Sequence, residues 1–438
     1  MSASPDSQIV RSIGRWSLTA LVINMVIGSG IFGLPAIVIQ KLGALSPWAY
    51  LVAAVGIGAI TACLAEVGSQ FPEAGGPYLY AREAFGRFAG IQIAWLTWLV
   101  RLTSGAANAN IFLEYLGGFA PGVRGKFVRA IVLLILIGGL AIVNIWGVAA
   151  GASLSGFLAG AKIVPLLIFV AGGLFLLHGA GTNLTAAQAV RPGARDWLDA
   201  ILLIVFAFSG FEAALIPMGE ARNTRHDIPF ALFFSLVGSL ALYVLIQIVV
   251  LRALGVGPAT ERPLAEAARV FFGSRGAVLM QMGALLSVYG NLSSQMLNVP
   301  RVTFALAERG DFPSVFGAIS PRFRTPHASI LTFAGFVFLL ALWGTFQGNA
   351  VLSVVARLLT YGVVCAAVIG LRRKHPAAPA FRIPAVPLVS TLGLVFVVAL
   401  VTQIRSRDVV AIAGVITIAF VNWIWVRRRT SPIRSLAA

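Results

Sequence analysis

The sequence predicts an all-α polytopic membrane protein, with twelve transmembrane helices in a five-plus-five inverted repeat and breaks in helices 1 and 6. Three observations predict this. The chain is 58% hydrophobic and only 11% charged, whereas a soluble domain carries about 25% charged residues; so few charges cannot wet a globule of 438 residues. Its apolar stretches are long and unbroken, as in "AIVLLILIGGLAIV" (130–143), where a transmembrane strand would alternate. Two such stretches, five spans apart, are interrupted by glycine and proline.

Taken in order, the first span (16–40) contains "VIGSGIFGLPA", from Val26 to Ala36. Glycine costs about 1 kcal/mol in a helix interior and proline about 3, so this stretch is expected to break. Spans 44–69, 88–116, 127–148 and 152–177 follow, each offering the roughly 20 apolar residues that a crossing needs. The sixth span (197–219) carries the second interruption, "FAFSGFEAALIPMGE" (206–220), with Ser209, Gly210, Glu212 and Pro217. Gly210 precedes Pro217 by the same interval that separates Gly28 from Pro35. Spans 228–252, 275–306, 328–345 and 350–371 complete the second group. Spans 385–404 and 409–426 are additions to it. Paired interruptions at matching positions of two halves point to a transporter binding site, and an odd separation of five gives the halves opposite topology. The expected division is a tail at 1–15, repeats at 16–177 and 197–371, a helix pair at 385–426 and a tail at 427–438. The polar connections are 70–87, 178–196, 253–274 and 307–327. In the third, Leu264, Ala268, Phe271 and Phe272 share one face of a short amphipathic helix.

The formal net charge of +18 does not indicate nucleic-acid binding. The basic clusters "LRRKHP" (371–376) and "VRRRTSP" (426–432) fall on the side of the N-terminal tail. The positive-inside rule makes that side cytoplasmic. Both termini are then cytoplasmic and the chain lies in the inner (cytoplasmic) membrane, its arginines beside anionic lipid. Cys63 and Cys365 lie inside spans, so no disulfide framework is implied. His178, His226, His327 and His375 are scattered in loops or at span ends and make no metal site. No G-x-S-x-G, H-E-x-x-H or P-loop pattern occurs. An enzyme, an ATP-driven pump and a resident cofactor are therefore not expected.

Unwound backbone in hydrocarbon costs several kcal/mol per group, so a break must face protein, water or ligand. Free N–H groups around Ile27, Gly28, Ser29 and Gly30 suit a carboxylate, and glycine admits it closely. Carbonyls around Phe206, Ala207, Ser209 and Gly210 suit an ammonium group. Together they would receive a zwitterion such as an α-amino acid. A plain contact between small residues of packed helices is the alternative use of such glycines.

At these residues the sequence resembles the amino acid–polyamine–organocation (APC) transporter superfamily, and within it bacterial-type amino acid permeases with a LeuT-like fold. "GSGIFGLP" resembles the first-helix signature, and "FPEAGGPYLYAREAFG" (71–86) the loop between helices 2 and 3. "GFEAALIPMGEARNTRHDIP" (210–229) resembles the sixth helix and its following loop, with Thr224 where proline is usual. "FALAERGDFPSVFGAISPRFRTPHAS" (304–329) resembles the loop after helix 8. The resemblance implies a secondary active amino acid carrier, a proton-coupled symporter or an exchanger, working by alternating access as a monomer or homodimer. Alternatives are an antiporter for polar, acidic or cationic substrates and a transport-derived amino acid sensor.

Arg101, Lys162 and Arg357 lie inside expected spans, where a charge is costly and hence a functional hypothesis. The family match implies that Lys162 stands in the place of a sodium ion, either as a titrating proton-coupling group or as a fixed tether to span 1. Snorkelling to the interface is the third option. Glu212 follows the second break; it either titrates or neutralises an arginine. Arg101 and Arg357 either line the site or form an internal ion pair. Three cations against one central acid disfavour a cationic substrate, so a neutral amino acid is expected, with an acidic one as the alternative. Phe32 and Phe206 are candidate gates.

Overall fold

The computed structural model describes residues 14–71, 75–147, 149–176, 190–212, 224–257, 260–374 and 381–430. For 149–161, 224–225 and 429–430 only the backbone is described. Pro217, Glu220, His178 and His375 lie outside the described residues. The described residues form helices and no strands.

The first expected span is three helices: α1 (Arg15–Val26), α2 (Ser29–Gly33) and α3 (Pro35–Leu42). Ile27 and Gly28 between α1 and α2 are extended. Proline at the start of α3 supplies no N–H where none is needed. Then come α4 (Ser46–Gln70), α5 (Gly76–Phe85), α6 (Arg87–Leu116), α7 (Lys126–Trp146) and α8 (Ala149–Leu176). The second broken segment begins with α9 (Ala194–Phe208), which stops where Ser209 turns extended. Beyond it are α10 (Thr224–Leu254), α11 (Pro263–Glu308), α12 (His327–Trp343), α13 (Phe346–Lys374), α14 (Val386–Val401) and α15 (Ser406–Thr430).

Two differences from expectation have local causes. The connection at 70–87 is not irregular but holds α5, which starts at a proline and buries Tyr78, Leu79, Tyr80 and Ala81. The amphipathic segment of the 253–274 connection is helical from Pro263 and runs directly into the next span. Gly273, at φ +66°, marks the kink between them.

Six helical stretches among the described residues are long and apolar enough to cross a membrane: Pro35–Gln70, Lys126–Trp146, His226–Leu254, Pro263–Glu308, Phe346–Lys374 and Ser406–Arg428. Apolar residues such as Leu134, Phe175, Trp343, Leu388 and Val410 are exposed, the surface of a protein that meets lipid. The segments that fail a simple apolar-length test are informative. α1 is cut short at its break. α6 carries Arg101, Ser104 and Asn108 along one side, and it packs between α11 and α13.

Polar ties fix the ends of this bundle. Glu66, fully buried, accepts two hydrogen bonds from Arg372 at 2.7 and 2.9 Å and one from the Ile383 N–H at 2.8 Å. Asp311, also fully buried, takes Arg87 at 2.7 Å, Arg82 at 3.1 Å and the Tyr78 hydroxyl. Burial first, then the hydrogen bond to Asp311, pushes the Tyr78 phenol above its ordinary pKa. Cys63 and Cys365 are buried free thiols.

Candidate functional site

The two breaks are packed onto each other. A Cβ on Gly30 would lie 2.6 Å from Ala207 Cα, so the first break reaches α9 only because Gly30 has no side chain. Gly210 has φ +119°, a conformation that L side chains rarely adopt, and a Cβ there would lie 2.5 Å from the Met25 carbonyl oxygen. One residue bridges both: the Tyr243 hydroxyl is 3.1 Å from the Val26 and Ala207 carbonyl oxygens.

Each break is matched to a charge. At the first, Lys162 Nζ of α8 donates to the Ile27 carbonyl at 2.8 Å and to that of Asn24. These are carbonyls released at the end of α1, where a cation opposes the negative end of a helix. Lys162 is buried and has no carboxylate partner among the described residues. At the second break, Glu212 Oε2 accepts from the Gly210 N–H at 3.0 Å and from the Tyr361 hydroxyl at 2.9 Å. Its Oε1 accepts from Arg357 and stands 3.6 Å from Arg101.

A cavity of about 800 Å³ runs from these breaks toward α5 and the C-terminal end of α11. Gly28, Ser29, Gly30, Phe206, Ser209, Gly210 and Glu212 lie on its wall with Lys162, Arg101 and Arg357. Ile27 and Ala207 do not; they act through backbone, Ile27 by its carbonyl on Lys162 and Ala207 by its contact with Gly30. Phe32 lies away from the cavity, fully buried and edge-on to Tyr115, whose hydroxyl bonds the Phe32 carbonyl at 2.8 Å. It is a core residue here because Tyr115 holds it there. Phe206 does line the cavity and packs edge-on against Phe346.

The carbonyls expected to meet an ammonium are partly engaged. Phe206 O accepts from Ser209 Oγ at 2.6 Å and from its N–H at 3.2 Å, and Ala207 O accepts from Tyr243. Ala207 O keeps a second lone pair for a ligand, whereas Phe206 O accepts twice already. Several wall residues carry buried polar atoms without a protein partner: Asn24 Oδ1, Ser29 Oγ, Asn108 Oδ1, Ser287 Oγ and Gln295 Oε1. Such atoms are rare in folded proteins, and here all five belong to residues that line one cavity. Sequence reasoning missed Tyr243, Tyr361, Asn24 and Asn291. A single polar residue in an apolar run gives no period by which to recognise it. No cluster of His, Cys, Asp or Glu fit to hold a metal occurs among the described residues.

Residues 13–424 match the family model described as "Amino acid permease". The serine/threonine exchanger SteT of Bacillus subtilis (strain 168) is 26% identical, over 89% of this chain and 90% of its own length. A putative arginine/ornithine antiporter of the same organism is 26% identical over 73% of this chain and 74% of its own. The branched-chain amino acid permease BcaP, also from that organism, is 23% identical over 99% and 96%.

Proposed function

Because the chain belongs to the amino acid permease family, a family of transporters and not enzymes, and is a multi-pass secondary amino acid transporter, we propose that its substrate's zwitterionic head lies between the two breaks. The carboxylate meets the N–H groups of Gly28, Ser29 and Gly30, the first turn of a helix having no internal partners for them. The ammonium meets the Phe206–Ser209 carbonyls. The observation that carries this reading is the mutual packing of the breaks at Gly30 and Gly210, on the wall of one cavity.

The arrangement proposed is twelve spans, two inverted repeats of five, and both termini in the cytoplasm of a cell whose inner membrane holds the protein. The end of the cavity lined by Gly76, Tyr78 and Arg309 then faces the cytoplasm. The opposite side is shut by Phe206 on Phe346 and by Asn349 bonding Asn110 at 2.9 Å. The state is inward-open.

Lys162 is the proposed coupling group, and Glu212 the fixed counter-ion of the second break. A protonated Lys162 ties α8 to the end of α1. A neutral one loses the charge that holds these carbonyls, freeing α1 to move and linking proton release to alternation. Purified protein should be stabilised thermally by at least one of the twenty amino acids, and uptake into proteoliposomes should follow an imposed pH gradient. Lys162→Ala should bind substrate yet lose gradient-driven accumulation. Undiminished proton-driven accumulation would sink the coupling role. Obligatory exchange is the second reading, favoured by the names of two relatives as exchanger and antiporter. It predicts uptake only into vesicles preloaded with amino acid.

A further inference from the structure

The cavity wall is not electrically balanced. Its described residues include five cations, Arg101, Lys162, Arg301, Arg309 and Arg357, and a single carboxylate, Glu212. That carboxylate is already saturated by Arg357, Tyr361 and the Gly210 N–H. Lys162 is occupied by two carbonyls. Arg357 is inaccessible, its side chain 3% exposed.

Arg301 donates to the Leu297 carbonyl of its own helix, and Arg309 is an exposed residue at the end of the cavity away from the breaks. Arg101 differs from Lys162 and Arg357 and lies beside the breaks. Its side chain is 18% exposed, and it reaches Glu212 at 3.6 Å as a bare ion pair. It donates no hydrogen bond to any described residue, although a guanidinium carries five N–H donors in a rigid planar fork. Ser104 and Asn108 continue the same face of α6 at helical spacing. Asn291 and Gln295 of α11 line the same cavity. Asn108 Oδ1 and Gln295 Oε1 there lack protein partners.

We propose that the substrate is an acidic amino acid whose side-chain carboxylate docks on Arg101. The proposal rests on the reading above, in which the two breaks hold the amino acid head. Glu212 does not repel this second carboxylate, because Arg357 compensates it and leaves the charge of Arg101 over. A carboxylate accepts two parallel N–H bonds from a guanidinium, the strongest neutral-pH pairing open to Arg101. An amide or hydroxyl side chain accepts fewer and carries no charge, and an ammonium side chain is repelled.

The test is binding to the purified full-length chain by calorimetry and thermal shift. The probes are L-glutamate, L-aspartate, L-glutamine, L-leucine, L-lysine and glutarate, which has both carboxylates of glutamate but no amine. Glutamate or aspartate should bind at least about tenfold more tightly than glutamine, leucine or lysine, as the loss of a charge-assisted hydrogen bond implies. Arg101→Gln should abolish that preference while leucine affinity stays within about threefold, and Arg101→Lys should restore part of it. Neutral amino acids binding as tightly as acidic ones would overturn the proposal while leaving the head site standing. So would an Arg101→Gln that weakens every ligand equally. Glutarate binding as tightly as glutamate would replace the amino acid by a simple dicarboxylate. If none of the five amino acids binds, the head site itself fails, and the proposal with it. Should Arg101→Gln not fold, the wild-type ranking and Arg101→Lys decide the matter.

Discussion

The two helix breaks meet at one place but are held there by opposite charges. At the first, a lysine from α8 caps carbonyls left by the end of α1. At the second, a carboxylate from the chain itself bonds a freed N–H and draws in Arg357 and Tyr361. The helix dipole accounts for the first pairing, because a carbonyl end favours a cation; at the second, the Gly210 N–H, the Tyr361 hydroxyl and two guanidiniums stabilise the carboxylate. The two differ in what can let go. Lys162 has neutral partners and can release them at the cost of hydrogen bonds. Glu212 is tied to a buried guanidinium, and parting that pair strands a charge. In the mechanism we propose, the first break moves and the second stays.

The largest test of that contrast is Glu212→Ala. It leaves Arg357 buried without a counter-charge, which costs about 3–5 kcal/mol. Thermal melts in detergent should show a steep loss of folded protein, with Glu212→Gln milder. A Glu212→Ala protein that melted like wild type would remove the second break's claim to rigidity. Lys162→Ala should cost less, about 1.5–3 kcal/mol for hydrogen bonds to a charged group, and should abolish pH-gradient-driven uptake. If it destabilised more than Glu212→Ala, the assignment of mobile and fixed breaks would be reversed.

Gly210→Ala comes next, at about 1–3 kcal/mol for strain at a positive φ. Its Cβ would also strike the Met25 carbonyl, so amino acid binding should weaken with stability. Gly28→Ala is the control for stability alone, since its Cβ would meet the side-chain amide of Asn291, which can turn aside. The smallest effect is expected of Tyr243→Phe. Losing the hydroxyl between the Val26 and Ala207 carbonyls should cost about 0.5–1.5 kcal/mol. Hydrogen exchange should then rise at both breaks together, and a rise at one alone would show that Tyr243 does not couple them.

Much of this was legible in the sequence. The breaks stand out because three glycines and a proline crowd Gly28 to Pro35, and because Ser209 and Gly210 interrupt an apolar run. Arg101, Lys162, Glu212 and Arg357 stand out because charges are rare in spans. Their partners were not legible. Glu212 and Arg357 are 145 residues apart, and Lys162 reaches backbone, which has no residue type to read. Phe32 and Phe206 looked alike as aromatics next to breaks, yet Tyr115 draws one into the core while the other faces the cavity. The helix at Gly76–Phe85 was hidden by the glycines and proline before it, which read as loop.

By itself the sequence determined that the chain is helical and membrane-embedded, where two of its helices fail, and that Lys162, Glu212 and Arg357 lie within its spans; it did not show that Glu66 and Asp311 are buried too. Composition, helical period and glycine content act within a turn or two of chain, so they need no fold to be read. Only the tertiary structure decided that Lys162 holds the first break and Arg357 the second, and that Arg101 is left facing the cavity. Those outcomes depend on how α6, α8 and α13 pack around the two breaks. A guanidinium is satisfied or free according to what lies within about 3 Å of it, and that is set by helices distant in sequence.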